Sequence, residues 1–80
     1  MKTQSEAHRL KSFRLQLSAL IRSERLNGRM TQSELARQMG CSQQFITRLE
    51  SGLSLPSVAS LAAVAFALDK RLRINFREVY

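Results

Sequence analysis

Cysteine occurs once in the 80 residues, at Cys41. A single thiol excludes an internal disulfide and a thiolate cluster for zinc. It reads as a small packed side chain in a turn, not as a reactive group. Histidine also occurs once, at His8 in a polar leader. No second base or ligand lies at a useful spacing from it, so no catalytic pair can be assembled. Gly28, Gly40 and Gly52 form no phosphate-loop motif. The expectation is a protein that is no enzyme, with no metal and no cofactor.

Long apolar runs are missing too. None reaches the roughly 18 residues that span a membrane, and the apolar run from Ser57 to Leu68 is too short. Met1 to Leu10 lacks the apolar core of a signal peptide. No membrane partner is expected, and a cytoplasmic place follows by default. Acid is scarce: 6 Asp and Glu stand against 13 Lys and Arg, a net charge of +7. Such a field favours nucleic acid or another anionic surface. A merely soluble basic protein is the plain alternative. The length argues for one domain with a modest core, of the kind that a partner or dimerisation often stabilises.

Three stretches divide the chain. Residues 1–11 are polar and basic, and read as a flexible leader or an extension of the first helix. Residues 12–69 carry helical patterning. Phe13, Leu17, Leu20, Ile21 and Leu26 recur at near-helical spacing, which predicts helix one over Ser12 to Arg25, ended by Asn27-Gly28. Thr31 then has the position of an N-cap, with Glu34 at the spacing of a capping box. Leu35, Ala36 and Met39 give helix two its inward side, and Gly40 can take the left-handed conformation that stops it. Ser42 is the next N-cap candidate. Helix three is predicted over Gln43 to Ser51, with Ile46 and Leu49 inward and Gly52 closing it.

Two short helices joined by three residues with a glycine make a helix-turn-helix pattern. Neither is long enough to be stable alone, so they must pack across the turn, where Ala36 allows close approach. An ordinary helical hairpin is the alternative. Pro56-Ser57 opens helix four, from Val58 to about Leu68, with Val58, Leu61, Ala62, Ala65 and Leu68 buried. In residues 70–80, Arg71, Arg73, Asn75 and Arg77 alternate with Leu72, Ile74 and Phe76. Val79 falls out of strict phase. A period of two predicts a short C-terminal β-strand. A lone strand leaves unpaired backbone groups, so Leu72, Ile74 and Phe76 are expected to pair with a second copy or another protein. A disordered or helical tail is the alternative.

Helix three sets Gln43, Gln44, Thr47, Arg48 and Ser51 on one side. The stripe is polar and has no acid, which suits a helix that enters a major groove. Glutamine can bond adenine and arginine guanine in two-point fashion, and threonine can offer a hydroxyl or a methyl. Gln43, Gln44, Thr47 and Arg48 are therefore the candidate base readers. A solvated helix start is the plain reading of the two glutamines. Phe45 is expected to be partly buried, with a lean onto the groove edge as the alternative. Gln32 opens helix two, where unpaired amides can receive a DNA phosphate. Ser42, Ser51, Arg22, Arg29 and Arg37 complete the candidate backbone contacts. For the arginines, solvated charge is as good a reading. Arg25 and Glu50 end helices one and three, and can meet as a bidentate pair or stay exposed.

The run TQSELARQMGCSQQFITRLESGLSLPS resembles the lambda-repressor and Cro-like helix-turn-helix family, often called the Xre family. The resemblance covers about Leu20 to Leu68 through Gln32, Leu35-Ala36, Gly40, Ser42, Ile46, Glu50, Gly52 and Pro56. It implies an all-α domain of four or five helices and a homodimer on partly palindromic double-stranded operator DNA. It puts Gln32 on the phosphate-clamping position, and Gln43, Gln44, Thr47 and Arg48 on recognition positions. Arg25 and Glu50 fall on a family ion pair. Two departures stand out. Leu53 occupies a place where many members carry Lys or Arg, and LDKRLRINF replaces a fifth helix. That ending is similar to antitoxins of the HigB–HigA kind, which implies self-repression and a small ribonuclease toxin as partner. A stand-alone phage-like or chromosomal regulator is one alternative. A non-specific architectural DNA-binding protein is another.

Overall fold

The computed structural model describes residues 4–78, and within them four helices and no strand. The first, α1, runs Gln4–Asn27, followed by α2 at Gln32–Met39, α3 at Gln43–Leu49 and α4 at Val58–Ala67. The leader is thus helical from Gln4 onward, eight residues ahead of the predicted start. The sequence there, SEAHRLK, has no apolar face to betray a helix. It is rich in residues that lose little freedom in one. Residues 1–3 lie outside the described residues, as do residues 79–80 at the end of the tail, Val79 among them.

The helix ends follow local chemistry. The Thr31 side chain accepts from the Glu34 N–H, and the Glu34 carboxylate accepts from the Thr31 N–H, which closes the capping box. Ser42 and Ser57 cap α3 and α4 by accepting from Phe45 and Ser60. Gly40 ends α2 in the left-handed region, at φ 69°. The end of α1 departs from expectation. Arg29 takes the left-handed conformation there, at φ 58°. The N–H of Met30 then closes onto the Arg25 carbonyl. Gly28 supplies room instead, since a Cβ on it would stand 3.0 Å from the Leu68 side chain.

The core draws Ile21 from α1, Leu35 and Ala36 from α2, Ile46 and Leu49 from α3, and Val64 from α4. Leu35 and Ile46 are fully buried. Phe45, Cys41, Met30 and Met39 pack partly against this cluster. α2 touches both α3 and α4. Several expected core residues lie outside it. Phe13, Leu20 and Leu26 on α1 and Val58 on α4 are at least half exposed. A single chain of this size offers one small core, and these side chains fall beyond its edge.

The predicted strand does not form in the single chain: residues 70–78 have no regular structure. Leu72 is half-buried, whereas Ile74 and Phe76 face outward, Phe76 completely. A strand needs ladder partners for its N–H and C=O groups, and no other strand is present among the described residues to supply them. The root of this segment is tied down. The Lys70 N–H donates to the Ala65 carbonyl, and the Lys70 ammonium pairs with Glu24 on α1.

Between α3 and α4 the chain presses onto α1. The Arg14 guanidinium donates to the Gly52 carbonyl at 2.7 Å. Gly52 has φ 77°, and a Cβ there would stand 2.6 Å from the Leu15 side chain. Gly40 has a similar φ but open space around it. Gly40→Ala should therefore cost about 1–2 kcal/mol, the conformational penalty alone. Gly52→Ala should cost clearly more, because steric overlap adds to it. Urea unfolding of both variants checks the order, and equal costs would show that Leu15 gives way freely.

Candidate nucleic-acid interface

Because Ile46 and Leu49 point inward, the opposite side of α3 faces solvent. Gln43, Gln44, Thr47, Arg48 and Ser51 are all exposed. No acidic residue interrupts them. Among the described residues, Gln43, Gln44 and Arg48 have no partner that would hold their side-chain heads. Phe45, between them in sequence, is half-buried. The Ser51 hydroxyl donates to the Arg48 carbonyl at 2.7 Å and accepts from the Leu53 N–H. Its N–H also goes to the Arg48 carbonyl. Both donors of Ser51 are thus used locally. Ser42 accepts from the Phe45 N–H and keeps a hydroxyl hydrogen to donate.

Beside this stripe stands the N-terminus of α2. The capping box occupies the N–H groups of Thr31 and Glu34. Those of Gln32 and Ser33 have no acceptor within the helix. A surface hollow joins the two elements, lined by Arg22, Arg25, Gln32, Thr47, Glu50 and Ser51. Arg22 is exposed at its rim. Neither Arg29 nor Arg37 lines it, although both are exposed. The hollow thus offers the Arg22 guanidinium and the Gln32 amide beside the open N-terminus of α2, over a Glu50 carboxylate that Arg25 neutralises, a set suited to an anion.

The floor is an ion pair. Arg25 Nε donates to Glu50 Oε2 at 2.7 Å and Nη2 to Oε1 at 2.9 Å. The third nitrogen, Nη1, donates to the Met30 carbonyl at 2.8 Å. The two side chains are 9% and 4% exposed, so the pair is a buried one. Gln32 Nε2 donates to Glu50 Oε1 at 3.2 Å, and Thr47 Oγ1 donates to Gln32 Oε1 at 2.9 Å. Thus α1, α2 and α3 are joined by one hydrogen-bonded chain. Its partners are 15 to 25 residues apart in sequence, and local patterning carries no signal of the Gln32–Thr47 contact. The Arg14–Gly52 contact, across 38 residues, was equally invisible to it.

Burial pushes the Glu50 carboxyl up, but hydrogen bonds from Arg25 and Gln32 and the charges of Arg25 and Arg22 outweigh it. The net effect is a value below the ordinary carboxylate range. The Arg25 guanidinium is shifted up, by its hydrogen bond to Glu50 against a smaller opposing effect of burial. Lowered carboxylates stabilise the folded state above their unfolded value. That stability is lost as pH falls through the folded value.

The sequence pattern of the helix-turn-helix family matches residues 21–75. The chain belongs to this family, in its Cro/C1-type form, a family of DNA-binding regulators. Over 58 residues it is 31% identical to the ImmF control region 10 kDa protein of Bacillus phage phi105. The alignment covers 72% of this chain and 64% of that protein, so the chain spans less than two thirds of its relative's length. No solved structure matches the chain. Among the described residues, no group of three or more His, Cys, Asp or Glu could hold a metal ion. No helix among them is long and apolar enough to cross a membrane.

Glu50→Gln leaves the Arg25 guanidinium buried without its counter-charge, and should cost about 3–5 kcal/mol near neutral pH. The difference from wild type should hold above about pH 4.3, the ordinary glutamate value. It should shrink as the pH falls further and wild-type Glu50 takes up its proton. Denaturant unfolding across pH checks this, and a difference independent of pH would assign the loss to packing.

Proposed function

We propose that this protein is a site-specific repressor that binds double-stranded operator DNA as a homodimer. The observation that carries the reading is the acid-free exposed face of α3 beside the open N-terminus of α2. Gln43, Gln44 and Arg48 stand free on a rigid helix and have the hydrogen-bonding patterns that read base edges in the major groove. Gln32, the free amides of α2, Arg22 and Ser42 would hold the phosphates that set the register. A net charge of +7 favours the same polyanion. Repression would follow from occupying a promoter, in the cytoplasm, without chemistry.

The dimer proposal rests on apolar surface that one chain leaves uncovered. A groove between α1, α4 and the tail is lined by Leu20, Leu61, Val64, Leu68 and Leu72. Ile74 and Phe76 extend from its edge into solvent. A second copy would cover these residues and give the tail a strand partner. Two recognition helices would then enter successive major grooves, roughly 34 Å apart.

The exposed basic tail also suits a second reading, in which the chain is the antitoxin of a toxin–antitoxin operon and the tail grips a small ribonuclease. The relation to a phage control-region protein favours the stand-alone regulator. Co-purification with a neighbouring gene product and inhibition of RNA cleavage would decide for the antitoxin.

The main test selects a preferred duplex from a random-sequence library. Two chains per selected duplex are expected, and one chain per duplex would sink the dimer. Arg48→Ala should lose discrimination at one or two base pairs, by about 1–3 kcal/mol each. Gln32→Ala should weaken all duplexes alike. A wild-type chain with steep salt dependence and no preferred site would point to an architectural protein instead.

A further inference from the structure

Resting on the DNA-binding reading above, we propose that Thr47 acts as a positioning residue for the Gln32 amide, and not as a base reader. Thr47 stands on the exposed face of α3, yet its hydroxyl is turned back into the protein. Oγ1 lies 2.9 Å from Gln32 Oε1 and 3.1 Å from the Gln43 carbonyl. Both neighbours only accept, and a hydroxyl has one hydrogen. That hydrogen is therefore committed within the chain, and none is left for a base.

The Gln32 amide is oriented from its other side as well. Its Nε2 faces Glu50 Oε1 at 3.2 Å. An ionised carboxylate only accepts, so the flipped amide would set two acceptors against each other. Glu50 is in turn held at both oxygens by Arg25. With Oε1 fixed by Thr47 and one Nε2 hydrogen fixed by Glu50, Gln32 keeps a single free N–H of defined direction. It lies at the end of α2, where the Gln32 and Ser33 backbone amides are also free. Thr47 thus links the base-reading helix to the phosphate-facing amide, and shows the groove only its methyl and oxygen lone pairs.

The test compares Thr47→Val, which keeps the shape but loses the hydroxyl, with Thr47→Ser, which keeps the hydroxyl but loses the methyl. In the DNA-free protein, the Gln32 side-chain amide signal should be displaced from that of a free glutamine in wild type and T47S. In T47V it should move to the free position, while backbone signals elsewhere report an intact fold. On the duplex selected by wild type, T47V should bind roughly tenfold more weakly, the loss of about one hydrogen bond's worth of stabilisation. All single-base-pair variants of that duplex should weaken by the same factor, with the salt slope unchanged, because a neutral amide displaces no counterion. T47S should bind like wild type. An unmoved Gln32 signal in T47V would overturn the proposal. So would a loss of discrimination at one base pair in T47S, which would mark the methyl as a reader. A wild-type chain with no preferred duplex would overturn the parent reading and this one together, whereas an unmoved Gln32 signal would overturn this one alone.

Discussion

The buried pair of Arg25 and Glu50 ties the rest of this small structure together. Arg25 spends all three nitrogens inside the protein, two on Glu50 and one on the Met30 carbonyl just before α2. One side chain on α1 thereby fixes the end of α3 and the approach to α2. A buried ion pair contributes little net stability compared with a well-packed apolar contact, since both charges lose their water. What it adds here is orientation. The Glu50 oxygen that receives Arg25 Nη2 also receives Gln32, so the side-chain amide of the proposed phosphate site is referenced to the core.

Around that pair the apolar core is minimal. Among the described residues it holds six buried apolar side chains, two of them fully enclosed. Much apolar surface remains outside, on α1, on the far side of α4 and along the tail. Caps and tight helix ends take on more of the burden of defining the fold than they would in a larger domain. The loop after α3 is held by contact with α1 through Arg14, Leu15 and the room left by Gly52. A second copy over the remaining apolar surface would complete both the core and the reading head. One constraint would then serve stability and function together.

Local chemistry was the legible part of the sequence. The capping box at Thr31 and Glu34, the stop at Gly40, the serine caps and the inward Leu35, Ala36, Ile46 and Leu49 all depend on neighbours within a turn or two, which the sequence displays directly. The candidate reading stripe was legible for the same reason, as the polar complement of Ile46 and Leu49. The first eight residues of α1 were not, because a helix without an apolar face has no periodicity to detect. Nothing local marks Arg29 as the left-handed residue, since the glycine beside it takes that conformation more readily, while Gly28 serves to clear Leu68. The tail showed its alternation plainly, but a strand belongs to a pair, and no second strand lies within the described chain. Thr47 was read by its place on the stripe. Where its hydroxyl points depends on Gln32, fifteen residues away.

If the core ion pair orients Gln32 for DNA, a double-mutant cycle on operator affinity will show Arg25 and Gln32 coupled. Arg25→Lys keeps the charge but cannot supply the planar fork that holds Glu50 and the Met30 carbonyl together. R25K should weaken operator binding in the wild-type background, and this loss should largely disappear when Gln32 is already alanine, a coupling of about 0.5–3 kcal/mol. Equal losses in both backgrounds would contradict it, and would leave Arg25 and Glu50 as a structural pair with no part in holding the phosphate-facing amide.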